Sequence, residues 1–253
     1  MGCGVTELSL VMPMAGRGSR FAREGVAEPK PLVMLGDRPF FWWAAESVRR
    51  AAPVGEMVFV VLREHVDQFA IDRRIHDFYP QARILTLPEV TSGAAETAAL
   101  GLRELRSEGP VAINDSDHAF RCPQLAASAA ALAGGMDAAL LCFRSASPAY
   151  SYARLDADGA VAGTVEKQAV SDYAIAGCYL FSSPGRFLDS YEAYRLDCPY
   201  DELFVSGLYN HLAAAGSPIG MMVAERHLSF GTPEELARID PNAVASELGW
   251  PPT

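Results

Sequence analysis

Val11-Met12-Pro13-Met14-Ala15-Gly16-Arg17-Gly18-Ser19-Arg20-Phe21, closed by Glu28-Pro29-Lys30-Pro31-Leu32, is the stretch from which the rest of the chain is read. An apolar run over 8–14 breaks at Gly16 and Gly18, and two cations, Arg20 and Lys30, follow at short range. Glycines let the backbone approach a phosphate closely and aim several N–H groups at it. Arginine and lysine then neutralise its oxygens. A lone Gly-x-Gly is better explained as a βα turn that needs positive φ. The added cations and the Pro-Lys-Pro-Leu segment favour a phosphate cradle. Spacing removes two familiar versions of such a cradle. A dinucleotide fingerprint needs a small residue three positions after the second glycine, where Phe21 stands. A Walker A loop needs Gly-Lys-Ser/Thr after four intervening residues, and none is present.

Outward from this turn, short apolar runs at 57–62, 82–87, 110–114 and 137–143 resemble the run at 8–14, as in strands buried on both faces. Between them lie expected helices at 39–51, 65–79, 94–106 and 123–133. This alternation predicts βαβ units and a largely parallel sheet. After Ser145 the pattern changes. Residues 150–155 and 160–165 flank an Asp-Ala-Asp-Gly turn and read as a hairpin; 173–181 and 219–223 read as further strands. Helices are expected at 184–194 and 201–215, and Pro233 starts a last one. No Gly/Ser or Pro-rich linker separates the halves, so one domain spanning 1–253 is expected, with a nucleotide-binding part near 8–145 and a β-rich acceptor-binding part near 146–238.

With 253 residues, half of them hydrophobic and 21% charged, the chain has material for a substantial core and carries no disordered tract. A net charge of −10 argues against a general nucleic-acid binder, which needs a basic face. A cytoplasmic enzyme with a local basic pocket fits better. The five cysteines form no CxxC pair, which suggests neither a zinc site nor a disulfide framework; Cys142 and Cys178 read as core residues. Neither a signal-peptide pattern nor an apolar stretch of about 20 residues is seen, so no membrane partner is expected.

The loop resembles the signature of the sugar-phosphate nucleotidyltransferases: a hydrophobic strand, A-G-x-G-[ST]-R-[LF], then P-K-[PQ]-L. The resemblance continues in order through Thr91-Ser92-Gly93-Ala94-Ala95, the segment 113–120 with its aspartates, Val165-Glu166-Lys167, Ala176-Gly177-Cys178-Tyr179-Leu180-Phe181 and Phe230-Gly231-Thr232-Pro233-Glu234-Glu235-Leu236. It covers nearly the whole chain, about 8–238, and is nearest to the capsule and surface-polysaccharide branch. It implies an α/β Rossmann-like three-layer sandwich with a mixed, mainly parallel sheet. It also implies transfer of NMP from an NTP (CTP, UTP, GTP or dTTP) to a phosphorylated small acceptor, first of all a sugar 1-phosphate, with release of pyrophosphate. A cytidylyltransferase for a non-sugar phosphate such as phosphocholine and a silent nucleotide-sugar binding module are the rival readings.

Roles follow from the resemblance residue by residue. Ala15, Gly16, Gly18, Ser19 and Gly93 would bind the nucleotide. Arg20 would stabilise the β/γ-phosphates, and Lys30 would hold the α-phosphate or the incoming phosphate. Glu166, Lys167 and Gly177 would contact the acceptor. Asp117, just past an apolar strand, would be the Mg²⁺ ligand, with Asp115 as its rival and His118 as a supporting neighbour. Each has a plainer explanation: a surface arginine, a helix cap, a solvated charge pair. One departure stands out. Many members carry a second metal-binding Asp two residues before the Gly-Thr-Pro glycine, and that position is Ser229. Glu225 is one acid that would replace it. Trp42 and Trp43 suit the core better than a dimer contact, although a homodimer stays open.

Overall fold

A computed structural model describes residues 6–251. Cys3 lies outside the described residues; Cys122, Cys142 and Cys178 are buried free thiols and Cys198 is half-buried. A nine-stranded sheet runs through the whole molecule. From one edge its main path is Arg83–Leu87, Val54–Leu62, Leu8–Pro13, Val111–Asn114, Tyr173–Phe181, Ala138–Arg144 and Ile219–Val223. Neighbours pair in parallel, except that Tyr173–Phe181 runs antiparallel to both strands beside it. The hairpin Tyr152–Leu155/Val161–Val165 joins Tyr173–Phe181 through Ala174 and Tyr152. The fold is the expected mixed, mainly parallel α/β sandwich.

Its strands read as unbroken apolar runs because both faces are covered. Along the first strand Leu8, Leu10 and Met12 point into one core and Val11 into the other. Helices Phe40–Ala51, Ile71–Phe78 and Leu125–Ala133 cover the first face. Ala94–Leu102, Pro184–Asp197 and Leu208–Ala214 cover the second. Trp42 and Trp43 are buried on the first face, where Trp43 stacks on Trp250. No helix among the described residues is long and apolar enough to cross a membrane.

Five local features depart from the expectations. The helix expected over 65–79 breaks at Ala70, whose φ of 49° is left-handed, into Arg63–Phe69 and Ile71–Phe78. The helix expected to reach residue 106 stops at Leu102, because the Glu56 carboxylate captures the Arg106 and Ser107 N–H groups. The segment expected to be helical from 201 is non-helical until a 3-10 turn at Val205–Gly207, because Leu203 pairs its N–H and C=O with the backbone of Ser92 and Ala95. A strand at Arg226–Ser229, unseen in the sequence, pairs antiparallel with His118–Arg121. A short helix at Val244–Glu247 follows the Pro233–Leu236 helix, which was expected to be the last.

Candidate active site

Open parallel sheets bind ligands beyond the carboxyl ends of their strands. Here the loops after Leu8–Pro13, Arg83–Leu87 and Val111–Asn114 enclose a cleft of about 620 Å³. Ala15, Gly16, Gly18, Ser19, Lys30, Gly93 and Asp117, expected at the nucleotide, all line it. Gly18 has φ +58°, and a Cβ there would stand 3.0 Å from the Lys30 Cβ. The turn therefore needs a residue without a side chain and brings its backbone against the lysine that follows. Gly93 is packed against Leu203: a Cβ would fall 2.5 Å from the Leu203 nitrogen. That close approach gives Gly93 a structural reason as well.

Lys30 Nζ donates to Asp117 Oδ2 at 2.7 Å, with the two side chains 28% and 25% exposed. Burial is the largest single effect on Lys30 and works to lower its pKa, but the charge and hydrogen bond of Asp117 together with the charge of Asp115 turn the net direction up. Burial is likewise the largest single effect on Asp117 and works to raise its pKa, but the charge and hydrogen bond of Lys30, with smaller contributions from His118 and the backbone, turn the net direction down. Both groups are therefore charged at neutral pH. Asp115 differs: burial first, then the charge of Asp117, push its carboxyl up to about 7. One strand end thus offers two unlike carboxyl groups.

A second cleft, of about 320 Å³, opens on the other side of the same aspartates. Asp115, Asp117 and Glu202 line both. Glu166, Lys167 and Gly177, the expected acceptor residues, line the second. Arg20, expected at the triphosphate, lines it too and not the first cleft, where Arg17 stands instead. Lys167 is a non-glycine residue at φ 55°, held by its N–H donating to the Tyr150 carbonyl. Such a conformation costs about 1 kcal/mol or more and persists where the surroundings impose it. Its ammonium lies over the Phe204 ring at 5.7 Å. Among the described residues neither Lys167 nor Arg20 forms an ion pair, so two unneutralised cations flank this cleft.

The far wall comes from residues with no acceptor role assigned from the sequence. Ser229 stands opposite His118, and His227 opposite Phe120. Tyr150 Oη donates to Glu235 Oε1 at 2.6 Å, while Glu235 Oε2 accepts from the Thr232 N–H. Burial, then Glu235, push the Tyr150 hydroxyl up to about 12. Thr-x-x-Glu is legible only as a helix cap; its second use on Tyr150 carries no local signal. Burial pushes His118 down to about 4 and His227 down to about 3, so both rings are neutral. Glu225 is not near Asp117's clefts: it pairs with Arg121 at 3.1 Å on the surface, which corrects its candidacy as a replacement acid.

Residues 11–168 match the MobA-like NTP transferase domain. The chain belongs to that nucleotidyltransferase family. No curated protein matches it in sequence. Solved structures share its fold. A Vibrio cholerae RC9 nucleoside-diphosphate-sugar pyrophosphorylase superposes with TM-score 0.77 at 24% identity, covering 90% of this chain and 98% of that one. A Bacillus anthracis protein described as a glucose-1-phosphate thymidylyltransferase, in complex with a sucrose, gives 0.74 at 16%, covering 97% and 98%. The inositol-1-phosphate CTP transferase of T. maritima gives 0.73 at 12%, covering 97% and 96%.

Proposed function

We propose that this nucleotidyltransferase joins an NTP to a small phosphorylated acceptor, in the first place a sugar 1-phosphate. The observation that carries the reading is the meeting of two clefts at Asp115 and Asp117, one with a glycine cradle and Lys30, the other with Arg20 and Lys167 at its rim. An acceptor phosphate oxygen attacks the α-phosphorus; the new O–P bond forms as the bond to the β-phosphate oxygen breaks, and pyrophosphate leaves. Such a reaction needs in-line positioning and charge neutralisation, not a protein nucleophile. Backbone N–H groups of the 15–19 loop and Lys30 hold the triphosphate, Arg17 stands on the same side, and Arg20 and Lys167 draw the acceptor phosphate in. The Lys30–Asp117 pair fixes both side chains between the clefts.

Mg²⁺ suits this donor set. Among the described residues no group of three or more His, Cys, Asp or Glu forms a protein-only cage. Mg²⁺ characteristically takes one or two carboxylates and completes its shell with substrate phosphates and water. Asp117 would hold it, with Asp115 beside it. When bound, the ion supplies neutralisation of phosphoryl charge. Ser229 is no obstacle to one carboxylate acting in that way.

Pyrophosphate release, measured with CTP, UTP, GTP and dTTP against sugar 1-phosphates and phosphocholine, tests the proposal. Release that requires both an NTP and a phosphorylated acceptor is expected. Nucleotide-sugar binding without release from any pair would leave a binding module instead.

A further inference from the structure

Opposite charges share the second cleft without pairing. Glu166, Lys167 and Arg20 all line it, yet among the described residues none of the three forms an ion pair. Glu166 and Lys167 are chain neighbours, so something must hold their charges apart. The Glu166 carboxylate is engaged by a hydroxyl: Ser206 Oγ donates to Glu166 Oε1. Ser206 is 1% exposed and stands in the 3-10 turn Val205–Gly207. That turn is fixed to the strand Val161–Val165, which leads into Glu166. Thr164 Oγ1 donates to the Ser206 carbonyl at 2.7 Å, and the Thr164 N–H donates to Asn210 Oδ1 at 2.8 Å. A Cβ at Gly207 would overlap the Tyr194 ring, so the turn is also packed hard from behind. The Lys167 ammonium is drawn elsewhere, over the Phe204 ring. Glu235 in the same cleft is likewise engaged by a hydroxyl, that of Tyr150, while Glu202 is exposed.

We propose that Ser206 is a positioning residue: its hydroxyl keeps the Glu166 carboxylate off the Lys167 ammonium, so that the lysine stays open for the acceptor's phosphate. This rests on the reading of the second cleft as the acceptor's. A serine suits the task because it gives a carboxylate one strong donor and brings no charge of its own. A lysine or arginine in its place would compete for the phosphate. Without the hydroxyl, Glu166 would turn to the nearest opposite charge, and an ammonium already paired answers a phosphate poorly. Lys30 and Asp117 show that alternative, a lysine and a carboxylate paired at 2.7 Å. A cation kept unpaired before the anion arrives needs no reorganisation when it binds.

The first measurement needs no acceptor. Acylation of the Lys167 ε-amine by acetic anhydride is followed by peptide mass spectrometry in the wild type, Ser206→Ala, Glu166→Gln and the double variant. An ammonium held by a carboxylate gives up its proton less readily and reacts more slowly. Ser206→Ala should slow Lys167 about 5-fold, the size of one ion pair gained at a partly exposed site. The double variant should regain the wild-type rate, which a mere loosening of the turn would not produce. Glu166→Gln alone should leave Lys167 at the wild-type rate. In parallel, with an NTP and a sugar 1-phosphate that support pyrophosphate release, Ser206→Ala should raise the acceptor KM about 5-fold and leave the NTP KM little changed. Unchanged Lys167 reactivity in Ser206→Ala, slowing that Glu166→Gln does not reverse, or faster reaction in Glu166→Gln alone overturns the inference; the last of these stands even if Ser206→Ala does not fold. Slowing that depends on Glu166, without pyrophosphate release from any pair, keeps the role of Ser206 and overturns the acceptor reading; release with Lys167 unresponsive does the reverse.

Discussion

The nucleotide cleft is walled largely by backbone: the turn from Ala15 to Ser19, the loop through Gly93, and one lysine fixed between two prolines. The cleft assigned to the acceptor is walled by side chains that reach it from five separate segments, at Asp115, Tyr150, Glu166, Phe204 and His227. A triphosphate is the same in every substrate of such a protein, and backbone N–H groups suffice to hold it. An acceptor varies, and only side chains can follow that variation. Asp117 belongs to both clefts, so changes there should affect both substrates, while changes elsewhere should separate them.

The largest effect is expected at that shared residue. Asp117→Asn keeps the shape, removes the charge and leaves Lys30 unpaired; pyrophosphate release should fall about 1000-fold or more. Activity within tenfold of wild type would break the comparison, since Asp117 would then be essential to neither cleft. Next comes the backbone wall. Gly18→Ala places a side chain at φ +58°, at a cost of about 1–2 kcal/mol, and pushes on Lys30. We expect a lower melting temperature and an NTP KM raised about 10-fold, with the acceptor KM little changed. Steady-state kinetics with each substrate varied in turn decides this.

Tyr150→Phe should do the opposite. It removes the hydrogen bond to Glu235 and should raise the acceptor KM about 5-fold while the NTP KM stays put. The smallest effect is expected at the far edge of the sheet. Asp137, at the start of strand Ala138–Arg144, pairs with Arg186. Burial works to raise the Asp137 pKa, but hydrogen bonds from Arg186 and Ser217 outweigh it and hold it below its ordinary 3.8. A depressed carboxyl pKa stabilises the fold above that ordinary value and loses its contribution as pH falls through the folded-state pKa. With both side chains partly exposed to solvent, the amount is below about 1 kcal/mol. Asp137→Asn should therefore melt slightly earlier than wild type at pH 7, the difference should shrink as pH falls below the ordinary carboxyl value, and both KM values should be unchanged.

The same contrast explains what was legible in the sequence. Apolar strands buried on both faces, and a glycine turn followed by cations, leave local marks, so the sheet and the nucleotide side were readable from spacing. Arg226–Ser229 left none. Arg226 is exposed and the next three residues are all half-buried, with no alternation to mark a strand, and it becomes one only because His118–Arg121 lies alongside. With that strand unread, His227 could not be placed, and Ser229 appeared only as a missing acid. Glu235 was hidden by its second role as a cap. Leu203 turned an expected helix into a backbone partner of the Gly93 loop, a contact across more than a hundred residues that no local pattern encodes.

The most direct test of the shared-aspartate account is the ³¹P spectrum of the protein with Mg²⁺, an NTP and a sugar 1-phosphate that supports pyrophosphate release. The account predicts a new pair of coupled diphosphodiester resonances rising together with free pyrophosphate, and neither signal in Asp117→Asn. A nucleoside diphosphate with inorganic phosphate, or undiminished product from Asp117→Asn, would contradict it.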